Sequence, residues 1–379
     1  MCIFTRFNMK ILYIITKANE IGGAQIHIKD LCIRLLNDGN EPEVIVGENG
    51  ALVDFLINEN IKVHILPSLV RDISPIKDMK CILQMRKLVK EINPDVVTIH
   101  SSKAGIIGRL SLICSGLPVI FTAHGWSFAN GINDKRKFIY IWIEKFCAIF
   151  SDKIITVSKQ DKDLAIKYKV ATDEQQIIIH NGILGKSVEN KKNDNETCIR
   201  LISIARFCEQ KDHETLLKAL ALINNNNWNL SLIGKGPCLE KTKLLTKELG
   251  LNDKVIFLGE RLDVEVLLAS SDVFLLISNW EGFPISILEA MRASLPVIAS
   301  DVGGVCEAVN HGDNGFLVNR KDIYGLSKVI ETLIENKELR LKMGKCGESL
   351  FKNDFDFESM YQKTLSVYSD VFNKRKLKG

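Results

Sequence analysis

The chain has 379 residues, of which 46% are hydrophobic and 25% charged, and its formal net charge is +4. This length is too great for one ordinary core and predicts two globular domains. The small positive excess lies in residues 1–183, which contain 23 basic and 19 acidic residues, whereas the remainder contains 27 of each. This excess is too small to indicate nucleic-acid binding. It is compatible with an anionic membrane surface or a phosphate-bearing acceptor.

The ten cysteines are scattered from Cys2 to Cys346 without a C-x-x-C pair or a Cys/His cluster. This pattern disfavours a zinc site and fits a reducing compartment. Residues 1–8 are too short and polar for a signal peptide, and we expect them to be a disordered extension before a natural start at Met9. No apolar stretch reaches the roughly 20 residues that span a bilayer. A cytoplasmic protein, either soluble or peripheral on the inner membrane face, is therefore expected.

Short β-branched runs alternate with helical patterns along the chain, which predicts parallel α/β domains. The predicted strands of the first half are 11–15, 43–47, 62–66, 95–99, 119–122 and 153–157. Those of the second half are 201–205, 230–233, 255–258, 273–277 and 297–300. The polar segment 186–197 between them is the best linker candidate.

The first strand leads through Gly22 and Gly23 into a helix. Glycines let the backbone approach a ligand, and a helix N-terminus offers N–H donors to a phosphate. The absence of a G-x-G-x-x-G pattern disfavours a nicotinamide site, while a plain tight turn remains the alternative.

Two histidines follow the ends of later strands in the first half. His100 ends the strand at 95–99 and is a plausible acceptor contact, whereas His124 follows the strand at 119–122. The nearby Trp126 and Phe128 fit either a stacking wall for sugar or lipid or the hydrophobic core.

A basic segment, 135–137, precedes an aromatic run at 138–143 in a predicted helix. A basic and aromatic helix can lie on a membrane surface, but a helix that covers a sheet has the same apolar run. Both interpretations remain open at this point.

Cations and glycines follow two strands of the second half. Arg206 and Lys211 come after the strand at 201–205, from which they can reach a phosphate. Lys235 lies between Gly234 and Gly236 after the next strand, in a loop that is either close to a ligand or a structural turn.

The most informative segment follows the buried strand at 273–277. It places Glu281 in a polar loop, Pro284 at the start of a helix and Glu289 in that helix. Ligands of open α/β sheets bind at the carboxyl ends of the strands, where a helix N-terminus suits a phosphate and carboxylates suit sugar hydroxyls. The pattern therefore predicts a ligand with both hydroxyls and phosphate.

The segment 278–284 together with Glu289-Ala290-Met291 resembles the E-x7-E motif of family 4 of the retaining GT-B glycosyltransferases. The resemblance covers Met9 to about Asp370 and implies two Rossmann-like parallel-sheet domains that face each other across a cleft. The implied domains are an N-terminal acceptor-side domain at 1–183, a nucleotide-sugar-binding domain at 184–354 and a last helix at 355–379. That helix would cross back to the first domain or simply end the second.

The resemblance also implies the roles of individual residues. Arg206 and Lys211 would bind the diphosphate, His124 and Glu281 would hold the donor sugar, and Glu289 would bind the ribose hydroxyls. The expected catalytic residues are His124, Glu281, Arg206 and Lys211. The full expected donor-binding set is Gly22, Gly23, Arg206, Lys211, Lys235, Glu281, Gly282, Phe283, Pro284, Ile285, Ser286 and Glu289.

No metal or other cofactor is expected, because the D-x-D triplets 161–163 and 354–356 are predicted to be helix N-terminal acids. The expected activity is transfer of a sugar, with retention, from a UDP- or GDP-linked donor to a hydroxyl acceptor. A lipid-linked saccharide of surface-polysaccharide assembly is the expected acceptor. The alternatives are a sugar-nucleotide epimerase of GT-B fold and a non-catalytic sugar-nucleotide-binding subunit.

Overall fold

The computed structural model describes residues 8–19, 22–129, 134–185 and 198–377. It divides into two compact units, one formed by the described parts of 1–180 and 360–379 and the other by those of 181–359. The linker expected at 186–197 and residues 1–7 of the expected extension lie outside the described residues. No described helix is both long and apolar enough to cross a membrane.

The described part of the first unit contains a seven-stranded sheet in which all strand pairs are parallel. Its strands are β1 (Lys10–Ile15), β2 (Glu41–Val46), β3 (Lys62–Ile65), β4 (Val96–His100), β5 (Val119–Ala123), β6 (Lys153–Thr156) and β7 (Gln176–Ile178). The order across the sheet is β3-β2-β1-β4-β5-β6-β7. The central strands β1, β4 and β5 are buried almost throughout, which is why their sequences are continuous apolar runs.

Helices cover this sheet between successive strands. They are α1 (Gly23–Asn37), α2 (Ala51–Asn58), α3 (Pro75–Ile92), α4 (Ser102–Ser111), α5 (Asp134–Ala148) and α6 (Lys159–Lys167). Helix α4 packs against both α3 and α5, so these three helices form one layer. Among the α4 contacts is a fully buried ion pair, in which Arg109 donates to Glu144 of α5 at 2.6 Å.

The described part of the second unit contains a six-stranded parallel sheet. Its strands are β8 (Ile199–Ile204), β9 (Trp228–Ile233), β10 (Val255–Gly259), β11 (Val273–Leu276), β12 (Val297–Ser300) and β13 (Gly315–Val318). Its helices are α7 (His213–Ala221), α8 (Leu239–Glu248), α9 (Val264–Ala269), α10 (Ile285–Arg292), α11 (Ile323–Glu335) and α12 (Lys337–Asp354), and a 3₁₀ helix spans Gly303–Glu307.

The last helix, α13 (Phe357–Lys376), contributes the residues from Met360 onward to the first unit. There Tyr361 donates to Asp38 at 2.6 Å, and the hydroxyl of Tyr368 lies 3.2 Å from that of Tyr13 on β1. The end of the helix is fixed by an ion pair between Arg375 and Asp152 at 3.0 Å. The C-terminal segment is therefore an integral part of the first unit.

The order β10-β9-β8-β11-β12-β13 repeats the order of the first six strands of the N-terminal sheet. This is the doubly wound Rossmann order, and the predicted fold class of two Rossmann-like parallel-sheet domains is confirmed. The strand order reverses between β1 and β4 in the first unit and between β8 and β11 in the second. Ligands of such sheets bind at the carboxyl ends of these central strands, which locates a candidate site in each unit.

Candidate functional site

The central feature of the second unit is a charge pair at the point where β8 and β11 lie side by side. Lys211 follows β8 and donates through Nζ to Oε1 of Glu281, which follows β11. Their side chains are only 14% and 6% exposed. Because removal of one partner leaves the other as an uncompensated buried charge, each of these side chains stabilises the other.

Gln210 bonds to both the backbone and the side chain of the loop that follows β11. The sequence patterns did not single out this residue. Its Nε2 donates to the backbone oxygen of Trp280 at 2.9 Å and to Oε2 of Glu281 at 3.2 Å. The backbone N–H of Asn279 donates in turn to the Gln210 carbonyl at 2.7 Å. Both carboxylate oxygens of Glu281 are thus held by the loop that follows β8.

Two glycines allow loops that follow neighbouring strands of this unit to approach each other. Gly234 has φ +139°, and a Cβ there would lie 2.2 Å from the carbonyl oxygen of Ala205. Gly303 has φ +60°, and its Cβ would lie 2.0 Å from the carbonyl oxygen of Glu281. Sequence reasoning missed Gly303, although Gly303-Gly304 follows strand β12 just as the other glycine loops follow their strands. Any side chain at Gly303 would displace the backbone that carries Glu281.

The remaining predicted donor residues differ in their surroundings. Phe283 and Ile285 are buried, and the ring centres of Phe283 and Phe355 are 5.3 Å apart. These two side chains are therefore part of the hydrophobic core. Pro284 is the N-cap of α10 and not its first residue, and Ser286 is half-buried. Glu289 is half-buried in α10, whereas Arg206 is exposed.

Lys235 lies apart from the buried charge pair. It is half exposed and pairs with Glu260 at 2.7 Å. Gly282 is buried, and its carbonyl accepts from the N–H of Gly304 at 2.7 Å. The structure therefore brings Lys211, Gln210 and Glu281 into direct contact, while Lys235 has a surface partner of its own.

In the first unit three histidines meet at the carboxyl ends of neighbouring strands. His27 lies on α1 after β1, His100 ends β4 and His124 follows β5. One ring nitrogen of each lies within 4.8 Å of the others, a spacing that a metal ion could share. His100 Nδ1 and His124 Nε2 are 2.9 Å apart, which is a hydrogen-bond distance. Sequence reasoning named His100 and His124 but missed His27.

Burial lowers the pKa of all three imidazoles. The pKa of His124 falls to about 4, and those of His27 and His100 lie well below their usual value, with the neighbouring histidines adding to the effect. At neutral pH all three rings are uncharged. Their arrangement can accept or donate hydrogen bonds to a polar ligand, but it carries no charge to neutralise a phosphate.

Because the pKa of His124 is lowered, the free energy of unfolding is expected to fall as the pH falls. A neutral His124 stabilises the fold fully above pH 6.5, and this contribution is lost as pH falls toward its folded pKa of about 4. Going from pH 7.5 to 5 removes about 2 kcal/mol for this one group. We expect urea unfolding to show a smaller loss between these two pH values for His124→Asn than for the unaltered protein. Equal losses would contradict the assignment of this half-buried imidazole as neutral in the folded protein.

Other predicted features of the first unit have ordinary structural roles. Trp126 and Phe128 are buried, and the indole N–H donates to the carbonyl of Asp161 at 2.8 Å, so the core interpretation is correct. In the D-x-D triplets, Asp161 shares an N-terminal capping contact with Ser158, and Asp356 accepts from the N–H of Ser359 at 3.0 Å. Asp161 and Asp356 lie at helix N-termini as predicted, whereas Asp354 is the last residue of α12, so the prediction is wrong for that acid.

Gly22 and Gly23 occupy the N-terminus of α1. Gly22 is the N-cap and donates its N–H to Oε1 of Gln25 at 3.2 Å, while Gln25 donates to the carbonyl of Lys17 at 3.1 Å. Both glycines are exposed. Gln25 thus connects the N-cap of α1 to the carbonyl of Lys17.

Comparison with known proteins places these features in a family. Residues 21–183 match the model of Glycosyltransferase Family 4, and residues 186–349 match that of Glycosyl transferases group 1. The UDP-Gal:alpha-D-GlcNAc-diphosphoundecaprenol alpha-1,3-galactosyltransferase of Escherichia coli is 31% identical over 357 residues, covering 90% of this chain and 92% of the relative. The O-antigen biosynthesis glycosyltransferase WbnH of Escherichia coli is 28% identical over 336 residues, covering 87% and 93%.

A solved structure supports the fold. The structure of HepE from Anabaena in complex with UDP and glucose aligns with a TM-score of 0.80 at 21% identity, covering 95% of this chain and 99% of that one. This structural similarity, the 31% identical relative and the two family models all agree with two domains of Rossmann strand order. The chain therefore belongs to the family 4 (group 1) glycosyltransferases and has their GT-B fold.

Proposed function

We propose that this glycosyltransferase moves a sugar, with retention of its anomeric configuration, from a UDP-linked donor to a hydroxyl of a lipid-linked saccharide. The observation that carries this proposal is the buried Lys211–Glu281 pair at the reversal of strand order in the second unit. A cation next to a carboxylate at this edge suits a ligand that has both a diphosphate and hydroxyl groups.

Each predicted site residue has a chemical role in this proposal. Lys211 and the exposed Arg206 neutralise the charge that builds on the leaving nucleoside diphosphate, which is an electrostatic contribution to catalysis. Glu281 accepts hydrogen bonds from the donor sugar, and Glu289 accepts them from the ribose. His124 of the first unit contacts the transferred sugar. With two cations and helix N–H groups for the diphosphate, we expect no requirement for a metal ion.

Two relatives support the choice of donor and acceptor. The 31% identical relative is named as a UDP-Gal transferase that acts on GlcNAc-diphosphoundecaprenol, and WbnH is named for O-antigen biosynthesis. We therefore propose a uridine nucleotide, an acceptor linked to a polyprenyl diphosphate and a place in surface-polysaccharide assembly. A cytoplasmic location at the inner membrane face follows from such an acceptor.

Isothermal titration calorimetry tests the division of roles at the donor site. We expect Glu289→Ala to weaken the binding of both UDP and the UDP-sugar, because both ligands contain the ribose. Glu281→Ala should weaken the binding of the UDP-sugar more than that of free UDP. GDP and GDP-sugars serve as controls for the base. Equal losses for both ligands in both variants would contradict these assignments.

Helix α5 supports the membrane part of the proposal. One face of it is buried and packs against α4, with Ile141 and Glu144 only 8% and 1% exposed. The opposite face exposes Phe138, Trp142 and Phe146 by 64%, 58% and 55%. The buried face fits a covering helix, and the exposed aromatic face is the one that we propose to contact the membrane.

A second apolar patch lies on the same helical layer. Helix α3 exposes Ile76, Met79 and Leu83 by 86%, 60% and 63%. Basic residues flank the α5 face, since Arg136 is exposed and Lys145 lies 5.2 Å from the centre of the Trp142 ring. Aromatic side chains flanked by lysine and arginine suit the interface of an anionic bilayer.

Vesicle flotation tests this surface. Three basic residues at an anionic membrane are together worth about 3 kcal/mol, so changing Lys135, Arg136 and Lys137 to Gln should lower partitioning about a hundredfold. We expect the unaltered protein to float with vesicles containing phosphatidylglycerol and not with neutral phosphatidylcholine vesicles.

The matched control changes three lysines of the second unit, Lys241, Lys243 and Lys247 on α8, to Gln and should leave flotation unchanged. Binding that ignores lipid charge, or that survives the change at 135–137, would contradict the assignment of this surface. A soluble saccharide would then become the better candidate acceptor.

A further inference from the structure

A chain of polar side chains connects His124 to the last helix through the core of the first unit. The hydroxyl of Tyr13 lies 3.2 Å from that of Tyr368, which donates to Thr98 Oγ1 at 3.5 Å. Thr98 Oγ1 lies 3.2 Å from His100 Nε2. His100 Nδ1 in turn lies 2.9 Å from His124 Nε2, so the chain has four links.

The number of protons in this chain fixes its direction. Burial raises the pKa of Tyr13 well above its usual value and that of Tyr368 to about 12, so both phenols keep their protons. Burial also keeps His100 and His124 neutral, with one N–H each. Five groups thus hold five protons for four links, and one proton remains at one end.

Only one direction leaves that proton in a favourable place. If every group donated toward Tyr13, the Tyr13 hydroxyl proton would be fully buried with no acceptor among the described residues. A buried donor without an acceptor costs about 1–3 kcal/mol. If every group donates toward His124, all four links are made and the remaining proton lies on His124 Nδ1. If the donors changed direction partway along this series of hydrogen bonds, one buried hydroxyl proton would likewise have no acceptor.

We propose that Thr98, His100 and Tyr368 are positioning residues that hold His124 in the Nδ1–H tautomer. His124 then offers a fixed N–H donor, which suits an oxygen of the transferred sugar. The hydrogen bond that one imidazole nitrogen makes determines which nitrogen carries the proton, and a wrong tautomer cannot donate at the required position. This role for the tautomer rests on the proposed contact between His124 and the donor sugar.

Nitrogen NMR of protein labelled with ¹⁵N-histidine tests the tautomer without any assay of activity. Long-range ¹H–¹⁵N correlations distinguish Nδ1–H from Nε2–H rings, and the loss of signals in His124→Asn assigns the resonance. We expect Nδ1–H for His124 in the unaltered protein and a mixture of tautomers in Thr98→Val and Tyr368→Phe. Because this readout needs no turnover, it decides the tautomer even if the proposed function is wrong.

Kinetics and matched controls complete the test. Thr98→Val and Tyr368→Phe should lower kcat about three- to tenfold with little change in the KM for the nucleotide sugar, since one neutral hydrogen bond is affected. Thr156→Val, a buried threonine of β6, and Tyr361→Phe, on the same helix as Tyr368, should leave the tautomer and kcat unchanged. His100→Asn, which retains a donor near the Nδ1 position, should keep more activity than His100→Leu.

Three outcomes would overturn the inference. The first is an Nε2–H tautomer of His124 in the unaltered protein. The second is an unchanged tautomer in both Thr98→Val and Tyr368→Phe. The third is a transition metal bound to His27, His100 and His124, detected by elemental analysis and by resonances that shift on addition of EDTA, because these rings would then be ligands.

Discussion

Replacing Lys211 with alanine is expected to lower kcat/KM for glycosyl transfer by about two to three orders of magnitude. The substitution removes a cation that we place at the departing diphosphate. It also leaves the Glu281 carboxylate, which is only 6% exposed, without its ion-pair partner. Steady-state kinetics with a UDP-sugar measure the effect, and thermal unfolding shows whether the variant is folded.

The matched control is Lys218→Ala. Lys218 also pairs with a glutamate, Glu214 at 2.7 Å, but both side chains are more than 40% exposed on the surface of α7. Such a pair contributes at most about 1 kcal/mol, so activity and stability should remain close to those of the unaltered protein. Activity of folded Lys211→Ala within about threefold of the unaltered protein would contradict the assigned role.

The second large effect concerns stability. Glu144→Ala should lower the free energy of unfolding by about 3–5 kcal/mol, because it strands the charge of Arg109 in the core. The Arg109 side chain is fully buried, donates through Nε to the carbonyl of Gly105 at 2.7 Å and lies 4.2 Å from the ring centre of Phe121. Urea unfolding at pH 7.5 measures the loss.

Two further variants separate a stranded charge from simple loss of packing. Arg109→Met combined with Glu144→Leu removes both charges and should recover most of the stability lost in Glu144→Ala. Glu91→Ala removes an exposed carboxylate that lies 3.8 Å from Lys87 on α3, and it should cost less than 1 kcal/mol. A double variant no more stable than Glu144→Ala would indicate that volume, not charge, dominates at this position.

The sequence was sufficient to predict the fold class and most of the strands. Buried central strands such as β1 and β11 are continuous apolar runs, which stand out without any knowledge of tertiary structure. The strands β7 and β13, which are three and four residues long and lie at the edges of their sheets, were missed, although β3, another four-residue edge strand, was predicted. A short edge strand is defined by its pairing with a neighbour, which a local pattern does not contain.

The sequence predicted several charged residues of the candidate site but missed Gln210, Gly303 and His27, and it did not predict the contacts between them. Lys211 and Glu281 are 70 residues apart and meet because β8 and β11 are neighbours in the sheet. The meeting of His27 with His100 and His124 likewise depends on the adjacency of β1, β4 and β5. A sequence pattern shows which side chains follow strands, whereas the strand order decides which of them touch.

Helix α5 illustrates a different limit. Its apolar residues surround much of the helix, so their spacing alone could not distinguish a buried face from an exposed one. Only the packing against α4 and the exposed fractions of the side chains show that Phe138 and Trp142 remain on the outside. The choice between a core helix and a membrane-facing helix was therefore a question of tertiary structure.

The most direct test of the proposed function is turnover by the purified chain alone. UDP-sugars with a radiolabelled hexose are incubated with a polyprenyl-diphosphate-linked N-acetylglucosamine acceptor in excess EDTA, and the lipid extract is counted. We expect one UDP-sugar to label the lipid in an acceptor-dependent reaction, and NMR of the product to show the anomeric configuration of the donor. No transfer from any UDP-sugar to any saccharide acceptor, or epimerisation of the donor without an acceptor, would contradict the proposed function.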